Sequence, residues 1–288
     1  MNKKILVTGA TGNIAGFVIP QLLAAGATVH AYVRDTNKAS HLAEQWAILF
    51  EGDFSNQEAL NNAAEGVDSI LAITPAGAEA VAQGEVVLNA ALNSGSPFYV
   101  RLSAIGAAED APTANGRLHY ATDQAVINSG LTYTLLRPHY FMQNLFANVE
   151  SIAAEGKMYL GMGEGSLGMI DVRDIADSFV ALLLKGGHEN EIFTPTGPES
   201  INFSEIAKII SEELNKSVAY VPVPIEAVGE AIIAAGWGEW GADVIMDYSK
   251  AYAEGWGDFT TDDVEIVTGK KARNFRQFFS EVLAPAMN

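Results

Sequence analysis

Short apolar runs alternate with amphipathic stretches through the first half of the chain, at the spacing of a repeating strand and helix. Ile5, Leu6 and Val7 form the first run. Ile14, Val18 and Leu22 then mark one face of a helix over residues 14–25, and Gly26 stops it before a second strand at 28–33. The strand signal returns at 47–50, 69–74, 98–103 and 132–136. Helices are expected between these runs, among them an Ala- and Gly-rich one ending near Asn93-Ser94-Gly95 and one over 119–128 stopped by Ser129-Gly130. Residues 70–73 and 100–102 read as strands covered on both faces, as in a parallel sheet.

Beyond about residue 150 the alternation loosens. Asp171 to Ala176 opens a helix with an acidic first turn, and Asn202 to Glu205 reads as a capping box, as does Ser55 to Glu58 earlier in the chain. Thr261, Asp262 and Asp263 open a last short helix that Gly269 closes. The expected fold class is α/β, a doubly wound parallel sheet of the Rossmann type over 1–150, with 151–288 mixed and returning partly to that sheet. No repeat, low-complexity tract or linker interrupts it.

The junction of the first strand and helix carries the most specific chemistry. Gly9, Gly12 and Ala15 stand three apart, the spacing that gives a tight turn, a close approach to a pyrophosphate, and a small residue where helix packs on strand. A ligand-free connection would also use such glycines. The complete βαβ unit around them selects dinucleotide binding, with Gly9, Thr11, Gly12, Asn13 and Ile14 as contacts. At the end of the second strand Arg34 answers a ribose 2′-phosphate where an acidic residue would answer a 2′-hydroxyl, so NADPH is expected ahead of NADH. Lys38 is a candidate helper, and Asp35 complicates the assignment. Asp53 and Phe54 are expected beside the adenine, one as hydrogen-bond acceptor and one as apolar wall, and Ile73, Thr74 and Pro138 complete the cofactor contacts.

Composition narrows the function. The 288 residues include no cysteine, which excludes disulfides, zinc-thiolate sites and thiol nucleophiles. A net charge of −18 repels a nucleic-acid backbone, so nucleic acid is not expected to bind through a general basic surface. No apolar run approaches a membrane span, and the chain enters its first strand too early for a signal peptide, so the expected location is cytoplasmic. The histidines show no metal-ligand spacing, and no metal is expected.

Catalytic candidates follow the strand ends. Ser103 closes the fifth strand, and His119 lies four residues before Asp123, which reads either as a carboxylate that orients the ring and favours imidazolium or as an exposed pair on the helix surface. After the sixth strand, Tyr140, Phe141, Met142 and Asn144 read either as a pocket wall for a small planar substrate or as an aromatic core loop. Trp237, Trp240 and Trp256 gather with Phe259, as a cover over a flat substrate or as a small core. A catalytic tyrosine with a lysine four residues on is missing, because Tyr120 is followed by Gln124. A tyrosine without that lysine keeps a pKa of about 10, so ordinary alcohol dehydrogenation is not expected.

Read together, TGATGNIAG, Val33-Arg34-Asp35, Gly52-Asp53-Phe54, SGLTYTLLRPHYFMQN, IDVRDIADSFVALLL, TGPESINFSEIA and DDVEIVTGKKARNF resemble the NmrA-like, atypical branch of the short-chain dehydrogenase/reductases. Within it the chain looks most similar to NADPH-dependent quinone and triphenylmethane-dye reductases. The resemblance implies a smaller C-terminal subdomain that covers substrate. From the residues themselves, Tyr140, Phe141, Met142, Asn144 and Trp237 are the expected substrate contacts and Tyr140, His119 and Ser103 the expected catalytic residues. It implies hydride transfer from NADPH to a quinone or similar conjugated acceptor, or else an NADP(H)-sensing regulator without turnover. A homodimer is compatible with either. Ala15 at the third glycine and His139 depart from the usual pattern, and the imidazole is expected to narrow or polarise the pocket.

Overall fold

β1 (Lys4–Val7) is an interior strand of a seven-stranded sheet, flanked by β2 (Thr28–Val33) and β4 (Ser69–Ala72). With β3 (Ile48–Glu51), β5 (Phe98–Leu102), β6 (Tyr133–Leu136) and β8 (Glu191–Phe193), the spatial order is β3-β2-β1-β4-β5-β6-β8, and every pair is parallel. The chain therefore winds outward to β3, returns past β1 and winds outward again. The reversal between β1 and β4 is the switch point where open α/β sheets receive ligands. These descriptions come from a computed structural model and cover residues 3–287.

Two units divide the chain. The first comprises residues 1–109, 117–137 and 175–193, and holds the whole sheet. Its apolar strands are buried from both sides, with Leu6, Ile70, Val87, Tyr99 and Leu135 in one core cluster. The second comprises 110–116, 138–174 and 194–288. It contains a parallel pair, β7 (Lys157–Leu160) and β9 (Ala219–Pro222), and a core of Met142, Met158, Phe203, Tyr252, Phe275, Phe278 and Phe279.

Local differences from the sequence expectation have specific causes. The strand expected to reach residue 74 ends at Ala72, because the Ile73 N–H leaves the ladder and donates to Thr8 Oγ1 at 2.9 Å. The helix expected from 119 begins earlier, as Ala114–Ile127; Thr113 Oγ1 caps it by accepting from the Gly116 N–H at 3.0 Å, and Asp247 Oδ2, 133 residues on, accepts from the Ala114 N–H at 2.9 Å. At 55–58 no capping box forms. Asn56 is the cap, accepting from the Ala59 N–H, while the N–H and hydroxyl of Ser55 both donate to Asp53. The box at Asn202 and Glu205 forms in both directions at 2.9 Å. The helix Asp263–Thr268 ends at left-handed Gly269 but is not the last: Phe275–Phe278 follows behind a second box, Asn274 with Gln277. β7 and β9 lie outside the expectation, while β8 is the strand by which the later chain returns to the main sheet.

Candidate functional site

The glycine turn after β1 is built by close contacts. Gly9 has φ +60°, and a Cβ there would stand 2.9 Å from Ile73 Cγ2, so only glycine fits. Buried Thr8 fixes the other side: its hydroxyl donates to the Ile73 carbonyl at 2.8 Å and accepts from the Ile73 N–H. Gly12 is the N-cap of the helix Asn13–Ala24, and a Cβ on it would press on the Gly9 carbonyl at 3.2 Å. No side chain caps this helix, and no acidic residue stands in its first turn. Its first N–H groups are thus left for an anion, in a cradle that extra side-chain atoms would fill. These residues fit a dinucleotide pyrophosphate.

A pocket of about 340 Å³ lies at the carboxyl ends of β2 and β3, lined by Arg34, Glu51, Gly52, Asp53, Ser55 and Asn56. Its carboxylates already have donors. Glu51 accepts from the N–H and hydroxyl of Thr36, and Asp53 from those of Ser55, and these hydrogen bonds hold both acids below the usual carboxylate range. Asp35 Oδ1 accepts from the N–H groups of Asn37 and Lys38. Arg34 has no hydrogen bond or ion pair among the described residues, which leaves its guanidinium for an incoming phosphate. The Asp53 carboxylate expected for the adenine is held in its own turn through Oδ1, which takes both Ser55 hydrogen bonds. Phe54 packs edge-on against Tyr32, whose phenol donates to the Asp53 carbonyl at 2.8 Å and is pushed up to about 12, first by burial and then by Asp53.

At the carboxyl ends of β5 and β6 the geometry reverses an expectation. Asp123 does not orient His119. Its buried carboxylate accepts from Arg101, from Ser103 Oγ at 2.7 Å, and from Arg137 Nε at 3.0 Å and Nη2 at 2.9 Å. His119 Nδ1 meets Arg101 Nη2 at 3.2 Å. Burial first, then Arg101 and Arg137, bring the His119 pKa down to about 3, so the ring is neutral rather than imidazolium. Ser103 already donates its hydroxyl proton to Asp123 and has none to give a substrate. Arg101 and Arg137 escaped the sequence reading. The available signal was a lone arginine inside the strand FYVRL, since a buried guanidinium requires a partner.

The second unit places the other candidates differently from one another. Met142 is in the core and presents no pocket wall. Tyr140 packs edge-on against Phe203 and Tyr252, and burial pushes its phenol well above the usual range despite a hydrogen bond with Asn144. Phe141 is half-buried and bridges to Ile170, and Asn144 is exposed. Trp237 is 74% exposed, whereas Trp256 packs on Tyr248 and Tyr252. Pro138 is buried.

His139 does not polarise a pocket. Its buried ring donates from Nε2 to the Gly257 carbonyl at 3.0 Å, accepts at Nδ1 from the Tyr140 N–H at 2.7 Å, and stacks on Tyr252. Burial brings its pKa down to about 4. The DVRD segment is also structural. Asp171 accepts from Gln143 and from Arg173, while Asp174 accepts from the backbone and side chain of Arg273. Among the described residues no helix is long and apolar enough to cross a membrane.

A doubly wound sheet whose first glycine turn feeds an uncapped helix defines a Rossmann-type protein. The chain belongs to the NmrA-like family, whose model matches residues 1–281. It is similar to the NAD(P)H azoreductase of Xenophilus azovorans, 35% identical over 277 residues that span 95% of this chain and 96% of the relative. Quinone oxidoreductase 2 of Escherichia coli is 26% identical over 254 residues, covering 87% and 88% of the two chains. The crystal structure of the Citrobacter sp. triphenylmethane reductase complexed with NADP(H) is similar at a TM-score of 0.87, with 26% identity over 98% of this chain and all of that one.

Proposed function

We propose that this chain is an NAD(P)H-dependent reductase that prefers NADPH and passes hydride to a quinone or a similar conjugated acceptor. The observation that carries the reading is the cradle at Gly9 and Gly12, closed against Ile73 and backed by an uncapped helix. Arg34, which acts on Asp53 through its charge but makes no hydrogen bond or ion pair among the described residues, supports the 2′-phosphate and hence NADPH.

When bound, the dihydronicotinamide supplies a hydride, two electrons with one proton, and the acceptor takes its second proton from solvent. The residues of the chain support this economy of proton donors. Ser103 is engaged with Asp123, and Tyr140 is held protonated by burial, so both position rather than ionise. Of the three expected catalytic residues this leaves His119 as the hydrogen-bond donor. Phe141 and Asn144 keep exposed surface and stand as acceptor contacts.

The test follows NADPH absorbance against a panel of benzoquinones, naphthoquinones, azo dyes and triphenylmethane dyes. Oxidation above background with at least one class is expected. Tight NADPH binding with no oxidation by any of them overturns the reductase and leaves a nucleotide sensor.

A further inference from the structure

Arg101 occupies the fourth position of β5, with Ala72 and Leu135 as its register neighbours, and its side chain is buried. One arm of the guanidinium pairs with Asp123 and the other, Nη2, faces His119 Nδ1 at 3.2 Å. A guanidinium carries only donors. Nδ1 must therefore accept, which puts the single ring proton on Nε2. That Nε2 has no hydrogen-bond partner among the described residues, and it is not among their occluded polar atoms. Its N–H thus points to solvent or to a ligand.

The groups around the ring do not favour a second proton. From β5 comes Arg101 and from the end of β6 comes Arg137, both cationic. The one anion, Asp123 on the same helix as His119, is saturated by those two guanidinia and by Ser103. Protonating His119 would place a third cation beside two others in a half-buried site, with no lone pair facing it.

We propose that Arg101 is a positioning residue that locks His119 as the neutral, Nε2–H tautomer, making it a hydrogen-bond donor whose charge does not change where histidines ordinarily titrate. The lock stands on the first unit alone. Its use, donating to the oxygen or nitrogen on which negative charge develops in the acceptor, rests on the reductase reading. A neutral imidazole stabilises such an anion by its hydrogen bond without surrendering its proton.

The test is an imidazole ¹⁵N spectrum of the full chain across about pH 5.5 to 8, where a free histidine changes charge. The His119 signals are assigned by their loss in His119→Gln. We expect a protonated Nε2 and an unprotonated Nδ1 that do not move with pH. In Arg101→Met, where Asp123 keeps Arg137 and Ser103, the His119 midpoint is expected to rise, while burial and Arg137 still hold it below the unperturbed value of about 6.5. The kcat/KM profile should then acquire a step at the same midpoint that the unsubstituted protein lacks. A proton on Nδ1, or a His119 that titrates within this range in the unsubstituted protein, overturns the lock. If Arg101→Met does not fold, the spectrum of the unsubstituted protein decides alone. A locked ring in a chain that oxidises no NADPH supports the lock and overturns the reductase, so the two failures are distinguishable.

Discussion

Gly9 and Ile73 meet so closely that a Cβ on the glycine would stand 2.9 Å from Ile73 Cγ2 and 3.0 Å from the Ile73 carbonyl oxygen. The φ of +60° adds a second penalty for any side chain. Gly9→Ala is therefore expected to destabilise the protein by about 2 kcal/mol, from left-handed strain plus displaced neighbours. NADPH affinity should fall with it. Gly16 in the following helix has nothing within 4 Å of its would-be Cβ, and Gly16→Ala should stabilise by roughly 0.5–1 kcal/mol. Urea melts of the two variants, with a nucleotide titration of the first, check this pair.

Arg34→Ala removes a guanidinium that holds no protein group in place, so folding stability should change little. A lost charge-assisted contact of about 1.5–3 kcal/mol corresponds to a 10- to 150-fold weaker NADPH complex. NADH binding should change by less than about threefold, since no 2′-phosphate is present to lose its partner. Calorimetric titration with each nucleotide distinguishes the outcomes, and an equal loss for both would remove Arg34 from its assigned role.

Asp123→Ala leaves two guanidinia without their anion in a buried site. Stranding one partner of a buried ion pair costs about 3–5 kcal/mol, and this variant should approach the limit of foldability. Ser103→Ala removes one hydrogen bond to a carboxylate that keeps both arginines, so a smaller loss of about 1.5–3 kcal/mol is expected. Equilibrium denaturation in urea gives the order directly.

His139 gives stability a pH dependence of known sign. Its pKa is brought down to about 4 in the folded chain, against about 6.5 when unfolded. Between those values the unfolded chain binds a proton that the folded chain does not, so stability is lost as pH falls through the window. From pH 7 to pH 5 the loss is about 2 kcal/mol from this residue. Urea midpoints at the two pH values should show it, and His139→Gln should flatten that part of the slope whatever it does to stability at pH 7.

Legibility in the sequence followed the range of the interactions involved. The doubly wound sheet was readable because each apolar run and each helix face is a local pattern. The turn at Gly9 was readable for the same reason. The helix start at Ala114 was not, since Asn115 and Gly116 in its first turn break the apolar helical pattern even though Thr113 caps it locally. His119 and Asp123, four apart, were a reasonable local pair, yet Arg101 and Arg137 arrive from neighbouring strands and take the carboxylate. Met142 and His139 read as a pocket wall because their composition is that of one, but contacts with residues far along the chain draw both inward. Local pattern thus located the glycine turn and misassigned the charge state of His119.

Both units are assembled from three separated stretches of chain, with five crossings between residue 109 and residue 194. No truncation at a single point can release either one intact. During synthesis the first unit waits for the edge strand at 191–193, by which time residues 138–174 of the second have already left the ribosome. Maturation is consequently a late event for this polypeptide, and nascent chains stalled before that strand would expose an open sheet edge to chaperones.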